Sequence, residues 1–397
     1  MITASEEIHA PLEQPMPAMT TRQRVTIGLP KSHHPSERRF PLTPEGVTIL
    51  CDRGYEVKME HGAADSIRYT DARYERCGAT LTGRTEALAC DIVVSISPLD
   101  AADISRLRRG ALLLTLLRPE HQTPQAIAEL LKRHVIAIAL DLVTDIDGNT
   151  PFADILSEID GRAAMTVAAS MLTDAECGKG ILLGGVAGIV PCEVTVLGSG
   201  IAACAAARAA SGAGATVRLF DNDVYSLRRA ARQLGPWAIT SAMHPNVVGH
   251  ALQSADVVIV TDMNDRTEAI GTDRAAVMKS GVLVFDISAN PGRIFPSLPT
   301  VDCCEMTAAL REMVAGRRIC YINAGGVVPR TAAMAMTNCL TTMLADFTCC
   351  DGAVNALKLL PGLQHAAYTF LGKAVNRRIA EIAGVRPVDI SIFLNLS

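Results

Sequence analysis

The stretch Glu193-Val-Thr-Val-Leu-Gly-Ser-Gly-Ile-Ala-Ala203, with a second apolar run that ends in Asp221, decides the fold of this chain. Gly198, Gly200 and Ala203 match the pattern G-x-G-x-x-[GA] between an apolar strand and an Ala-rich helix. Gly198 permits a tight turn, Gly200 lets a pyrophosphate approach the backbone, and Ala203 lets the helix pack on the strand. The free N–H groups at the helix start face the phosphates. The pattern therefore predicts a Rossmann unit that binds a dinucleotide.

Asp221 stands where this fold places the acid that binds the ribose. Its carboxylate can accept a hydrogen bond from a ribose 2′-OH and would repel a 2′-phosphate, so we expect NAD rather than NADP. Asp262, which follows a later strand, either faces the nicotinamide or caps a helix. The remaining predicted cofactor contacts belong to the glycine turn or to neighbouring segments: Ser157, Ser199, Ile201 and Asn323.

Composition restricts the class of protein. The 397 residues favour two or three domains, and 49% apolar with 20% charged residues is a globular composition. A net charge of −4 and only 4% aromatic residues give neither a basic field nor a stacking surface, so we expect no nucleic acid partner. The twelve cysteines form no C-x-x-C pair and the nine histidines are dispersed, so we expect reduced, buried thiols and no metal site.

No targeting signal is visible at the N-terminus. Residues 1–22 are polar and proline-containing, which predicts a disordered extension. The longest apolar run, Ala111 to Leu117, is too short to span a bilayer. We therefore expect a cytoplasmic protein without a membrane partner.

Apolar strand patterns alternate with helical patterns along most of the chain, which predicts α/β architecture with mostly parallel sheets. A helix is expected from Glu45, with Thr43 as its cap and Pro44 at its first position. The other predicted helices cover 123–133, 157–172 and the stretch from 330 to 383 with one break at Pro361. The predicted strands cover 24–29, 55–60, 91–96, 111–117, 134–140, 193–197, 216–220, 238–240, 256–261, 282–286 and 320–323.

In parallel sheets, ligands bind off the carboxyl ends of the strands. This rule selects polar residues that directly follow predicted strands: Lys31, Arg39, Ser97, Arg118, Asp141, Asp262, Asn290 and Asn323.

Several segments, in this order, resemble the alanine dehydrogenase family (AlaDH/PNT), which shares its fold with the N-terminal part of proton-translocating transhydrogenase. The resemblance implies two Rossmann-like, doubly wound parallel-sheet domains, with a discontinuous substrate domain of residues 23–152 plus 331–397 around an NAD-binding domain of residues 153–330. It also implies a homo-oligomer. The segments that carry the resemblance are Ile27–Lys31, Glu37–Gly46, Ser157–Arg162, Gly178–Gly188, the glycine turn, Lys279–Asp286 and Asn323–Thr331.

The resemblance also implies site residues, and three of them are changed in this chain. The family's carboxylate-binding arginine corresponds to Arg39, whose planar fork suits a carboxylate. The family's lysine, histidine and aspartate correspond to Ser97, Arg118 and Asn290. An arginine keeps its proton at any useful pH, so the family's proton relay is altered.

Other residues could replace that relay. His121 follows Arg118 closely and is a candidate for proton transfer, with a solvated loop histidine as the alternative. His33 and His34 are weaker candidates in the loop beside Lys31, and Lys31 serves either substrate contact or structural pairing. The predicted catalytic set is therefore Arg39, Arg118, Lys31, Asn290 and His121.

Three functions remain open at the level of sequence. The leading hypothesis is an NAD-dependent oxidoreductase that acts on an amino acid, a 2-oxo acid or an imine carrying a carboxylate. Arg39 and Arg118 fit a dicarboxylate, or one carboxylate plus a polarised carbonyl or imine. The alternatives are a lyase or cyclodeaminase-like enzyme that recycles bound NAD, and a non-catalytic NAD-binding protein.

Overall fold

The computed structural model describes residues 24–264, 267–349 and 353–394, and the predicted extension 1–22 lies outside them. Within these ranges fifteen strands form two sheets. The strands are β1 Thr26–Leu29, β2 Glu56–Glu60, β3 Thr80–Thr82, β4 Ile92–Val94, β5 Leu112–Thr115, β6 Ile136–Ala139, β7 Glu193–Leu197, β8 Thr216–Asp221, β9 Ile239–Ala242, β10 Val257–Val260, β11 Leu283–Asp286, β12 Thr300–Asp302, β13 Ile319–Ile322, β14 Ala367–Phe370 and β15 Lys373–Ala374.

Helices connect most of these strands. They are α1 Pro44–Asp52, α2 Asp71–Arg76, α3 Arg84–Leu88, α4 Ala101–Ile104, α5 Pro124–Lys132, α6 Pro151–Thr173, α7 Ile201–Gly212, α8 Val224–Leu234, α9 Pro245–Ser254, α10 Thr272–Ala276, α11 Ala308–Val314, α12 Pro329–Cys349, α13 Ala353–Leu359, α14 Pro361–Ala366, α15 Arg377–Ala383 and α16 Ser391–Leu394. The predicted cap of α1 is confirmed, because the Thr43 side chain accepts a hydrogen bond from the Gly46 N–H group.

Both sheets are wound in the same way. The first has the order β15-β14-β6-β5-β4-β1-β2-β3 and the second the order β12-β13-β11-β10-β7-β8-β9. In each, the strand order reverses beside the first strand, between β1 and β4 and between β7 and β10. Such switch points open a crevice at the carboxyl ends of the strands. The predicted class of two Rossmann-like α/β sheets is confirmed.

Burial explains why the central strands are almost continuously apolar. Every residue of β4, β5 and β6 is buried, as expected for parallel strands with both faces covered. Beside the second sheet, the helices α6 and α7 pack closely because small residues form the interface between them. A Cβ atom on Gly161 would lie only 2.2 Å from the Ala202 carbonyl oxygen. The glycine thus lets α6 lie against the helix that begins at the glycine turn.

The structure corrects two predicted elements. α6 begins at Pro151 rather than Ser157, because Pro151 is suited to the first helical position and ends the preceding loop. The stretch predicted as helix up to residue 383 contains β14 and β15. β14 is wholly buried, pairs antiparallel with β6 and contains Tyr368, Thr369 and Phe370, which favour strands, so the helical pattern of the surrounding stretch led to the wrong prediction. The short strands β3 and β12 were not predicted, because each lies at the edge of a sheet and contains only one apolar residue.

The two sheets draw on different parts of the chain. The first uses strands between residues 26 and 139 together with 367–374, and the second uses strands between 193 and 322. The predicted domain boundaries at 152 and 330 stay predictions, with α6 running through the first and α12 beginning beside the second. Among the described helices, none has the length and apolar character needed to cross a bilayer.

Candidate active site

The glycine turn has the geometry that a dinucleotide needs. Gly198 has a φ angle of +108°, and its N–H group donates to the Phe220 carbonyl at 2.7 Å. A Cβ atom at this position would lie 2.0 Å from the Thr261 Oγ1 atom. Both the backbone conformation and the close approach of the loop after β10 therefore require glycine here.

Gly200 leaves an open space at the start of α7. A Cβ atom on Gly200 would meet no atom within 4 Å, and Gly200 is the N-cap of the helix. The first N–H groups of α7 have no partner within the helix and point toward this space. Ala203 is fully buried below it, while Ile201 is exposed at its edge. The turn fits a pyrophosphate.

Asp221 is buried at the end of β8, directly beside the turn. Its Oδ2 atom accepts a hydrogen bond from the Ser199 hydroxyl at 2.6 Å, and its Oδ1 atom accepts one from the Asp223 N–H group at 2.9 Å. A carboxylate has about four acceptor sites, so these bonds orient Asp221 and leave capacity for a ribose hydroxyl. Ser199 thus acts on the cofactor site through Asp221.

We expect Gly198→Ala to weaken NADH binding at least about tenfold and to lower the free energy of unfolding by about 1–3 kcal/mol, because it combines an unfavourable φ angle with overpacking. NADH fluorescence titration and chemical unfolding measure the two effects. Gly212→Ala is the matched control: it lies at the last turn of α7, where a Cβ atom would meet nothing within 4 Å. Equal NADH affinity of wild type and Gly198→Ala would contradict this account of the turn.

Across from the turn, two arginines share one buried glutamate. The Glu37 carboxylate accepts from Arg39 Nε at 2.8 Å and from Arg39 Nη2 at 2.7 Å. Arg118 Nη2 lies 3.0 Å from Glu37 Oε2. Glu37 and Arg39 belong to the loop after β1, and Arg118 follows β5 with a left-handed φ of 36°. We call Glu37, Arg39 and Arg118 the arginine cluster.

The three charged side chains of the arginine cluster shift one another's pKa values. Burial raises the pKa of Glu37, but the charges and hydrogen bonds of Arg39 and the charge of Arg118 outweigh it, so the pKa lies below its usual value. Burial and the neighbouring Arg39 charge lower the pKa of Arg118. An arginine still keeps its proton near neutral pH. The cluster thus holds two positive charges and one negative charge.

A carboxylate that the sequence prediction missed faces this cluster. Asp160 lies on α6, and a Cβ atom on Gly325 would lie 1.8 Å from its Oδ1 atom. Burial raises the pKa of Asp160 to about 6 against the opposing effects of Arg39 and Arg118. A signal was present in the sequence: Asp160 lies one helical turn from Leu156 and Ala164, both buried.

Two histidines stack beside Arg118. The ring centroids of His34 and His121 are 4.6 Å apart. Burial, Arg118 and His34 all lower the pKa of His121, so its imidazole is neutral at neutral pH. His33 has other neighbours: a ring nitrogen of His33 and one carboxylate oxygen each of Asp100 and Asp103 lie within 4.8 Å of one another. Asp103 already pairs with Arg84 and Arg106, which offsets its charge.

The backbone of Lys31 is hydrogen-bonded to neighbouring parts of the first domain. Its N–H group donates to Glu60 at 2.7 Å and its carbonyl accepts from Arg84 at 2.9 Å. Its side chain is exposed, and the Nζ atom lies 3.6 Å from the position of a Cβ atom on Gly62. These contacts fit the structural-pairing alternative, and contact of the Lys31 side chain with a substrate stays a prediction.

The loops after β10 and β11 are joined by Asp262, whose Oδ1 atom accepts from the Ala289 N–H group at 2.8 Å. It therefore caps a loop rather than a helix. Asn290 is exposed in the same loop, and its carbonyl accepts from the Arg293 N–H group at 3.3 Å. Their contact with the cofactor or the substrate stays a prediction.

Asn323 connects the two sheets. It has a left-handed φ of 57° after β13, and its Nδ2 atom donates to Asp302 at 3.1 Å and to the Ser36 carbonyl at 3.2 Å. Ser157 is half-buried on α6, one turn before Asp160. The Ser97 hydroxyl, at the position of the family's lysine, is buried with no hydrogen-bond partner among the described residues.

Comparison with known proteins identifies related sequences over most of the chain. Residues 28–159 match the model of the alanine dehydrogenase/PNT N-terminal domain, and residues 164–377 match that of the C-terminal domain. The chain is 30% identical over 364 residues to the alanine dehydrogenase of Mycobacterium tuberculosis H37Rv, covering 90% of this chain and 97% of that protein. It is also 30% identical over 378 residues to that of Mycolicibacterium smegmatis, covering 93% and 99%.

Solved structures give the same fold. An L-alanine dehydrogenase superposes with a TM-score of 0.79 at 24% identity, covering 90% of this chain and 99% of that one. A transhydrogenase from Sinorhizobium meliloti superposes with a TM-score of 0.69 at 22% identity, covering 89% and 99%.

Proposed function

Because the chain belongs to the alanine dehydrogenase/PNT family, whose members use NAD(H), we propose that it is an NAD-dependent amino acid dehydrogenase. It interconverts a small 2-amino acid with one carboxylate and the corresponding 2-oxo acid plus ammonium. The observation that carries the proposal is the arginine cluster with Asp160 beside it, opposite a turn that fits NAD.

The charge of the cluster favours one carboxylate over two. Glu37 accepts hydrogen bonds from Nε and Nη2 of Arg39 and forms an ion pair with Arg118. Its negative charge therefore cancels one of the two positive charges. One net positive charge matches one substrate carboxylate. The remaining N–H donors of the two guanidinium groups can bind and orient it. We therefore prefer a monocarboxylate to the dicarboxylate alternative.

Each proton step needs a group that titrates near neutral pH. Arg118 stands at the position of the family's histidine and cannot serve, so it binds and polarises instead. His121, with its lowered pKa, and Asp160, with a pKa of about 6, are the suitable groups beside the cluster. Bound NAD supplies the acceptor for the two electrons and the hydrogen that leave the substrate Cα atom. Its pyrophosphate would rest on Gly200 and its ribose on Asp221.

The test is the consumption of NADH with a panel of 2-oxo acids, with and without ammonium. We expect turnover only when ammonium is present, preference for monocarboxylates, and a marked preference for NADH over NADPH because of Asp221. Turnover without ammonium would indicate a keto reductase. NADH binding without turnover of any substrate would favour the non-catalytic alternative and contradict the proposal.

A further inference from the structure

Asp160 is a half-buried carboxylate that the proposed function names, beside His121, as one of two candidates for proton transfer. We infer that the Asp160 carboxylate holds the substrate's ammonium group and exchanges a proton with it. This inference rests on the proposed function and goes beyond it, because it assigns amine recognition and acid-base catalysis to one residue of α6.

The position of Asp160 is determined by backbone contacts. The 3-10 turn Ala324–Val327 follows β13 at the carboxyl edge of the second sheet, and α6 packs on it. Gly325 donates its N–H group to Asp160, and its missing side chain leaves the room that the carboxylate occupies. Any larger residue at 325 would displace Asp160. The carboxylate is thus held between the cofactor sheet and the arginine cluster.

Charges of both signs act on Asp160, and they come from the arginine cluster. Arg39 and Arg118 approach from the loops after β1 and β5, and Glu37 lies between them. Another neighbour of α6, the 3-10 turn at residues 140–142, carries Asp141, whose carboxylate accepts from the Leu117 N–H group at 2.8 Å. An amino acid with its carboxylate on the guanidinium groups presents its ammonium group a few ångströms away. Both arginines form ion pairs with Glu37, whereas Asp160 interacts with their charges and forms no ion pair with either among the described residues.

The proton moves between the substrate nitrogen and the Asp160 carboxylate. In the direction of oxidation, an N–H bond of the ammonium group breaks, an O–H bond forms on Asp160, and the electron pair stays on nitrogen. The neutral amine can then form a C=N bond as the Cα hydrogen leaves. In the reverse direction, the protonated Asp160 returns the proton to nitrogen. A pKa of about 6 lets one carboxylate do both near neutral pH.

The experiment compares wild type, Asp160→Asn and Glu158→Gln. Asparagine keeps the shape and can accept from Gly325 but carries no charge. Glu158→Gln is the matched control, because it removes a carboxylate from the same helix, where Glu158 forms an ion pair with the exposed Arg162, and we expect it to behave as wild type. We expect Asp160→Asn to lower kcat for amino acid oxidation by about 10²–10⁴-fold, with unchanged NADH affinity. We expect the wild-type rate to fall as the pH drops through about 6. This acid limb of the pH–rate profile should be absent in Asp160→Asn.

A binding measurement separates this inference from the proposed function. Calorimetry with L-alanine and with propionate, which lacks the amino group, should show that wild type prefers L-alanine. Asp160→Asn should lose about tenfold or more of that preference, as expected for one charge-assisted hydrogen bond. A preference retained in Asp160→Asn, or an acid limb that disappears only in His121→Asn, would overturn the inference alone. Asp160-dependent binding of L-alanine without any turnover would overturn the proposed function alone.

Discussion

Replacement of Glu37 by glutamine is expected to lower the free energy of unfolding by about 3–5 kcal/mol. Glu37 is buried, with only 8% of its surface exposed, and offsets the charges of Arg39 and Arg118. A neutral amide leaves two desolvated guanidinium groups beside each other, and it cannot accept the two parallel hydrogen bonds that Arg39 donates. The expected loss is therefore far larger than for a surface ion pair.

Chemical denaturation of wild type and Glu37→Gln measures this effect. Glu45→Gln is the control, because Glu45 makes an exposed ion pair with Arg73 at 2.6 Å and should change stability by less than about 1 kcal/mol. The pKa of Glu37 is lowered in the folded state, so its stabilisation is present above the unfolded pKa and is lost as the pH falls through the folded one. Acidification should thus reduce the difference between wild type and variant. A difference that is small at neutral pH, or that grows on acidification, would contradict the charge account.

Replacement of Arg39 by lysine is expected to lower kcat/KM for the amino acid by about 10²–10³-fold. Lysine keeps the charge but offers no planar fork, so it cannot hold Glu37 through two parallel bonds and bind a carboxylate as well. The substrate then loses both its anchor and its orientation.

Steady-state kinetics together with NADH titration test this prediction. NADH affinity should be unchanged, because the glycine turn lies on the other sheet. Arg73→Lys, which alters an exposed arginine in an ion pair with Glu45, should behave as wild type. Wild-type kcat/KM in Arg39→Lys would show that the carboxylate binds elsewhere.

The cofactor half of the site could be predicted because its signals are local. Gly198, Gly200 and Ala203 lie within six residues, and a strand–turn–helix has the same geometry wherever it occurs. The rule on strand ends selected both Arg39 and Arg118, and the structure places both against Glu37, while their role at the substrate stays a prediction.

Other features depend on contacts between distant parts of the chain. Asp160 shares a helix face with apolar residues, but its contact with Gly325 and its interaction with the arginine cluster depend on how α6 packs in the tertiary fold. Lys31 followed a strand as predicted, yet its neighbours are Glu60 and Gly62, which the strand-end rule does not specify. The strand β14 contains residue types that favour strands, but its pairing with β6, more than 200 residues away in sequence, depends on the tertiary fold.

The most direct test of the central claim is the fate of the substrate's Cα hydrogen. Wild-type protein is mixed with NAD and a mixture of small amino acids deuterated at Cα, and the NADH formed is analysed by mass spectrometry. We predict that the NADH carries one deuterium, because hydrogen passes directly from Cα to the nicotinamide at the site between the glycine turn and the arginine cluster. The absence of NADH, or NADH without deuterium, would contradict the assignment of this chain as an amino acid dehydrogenase.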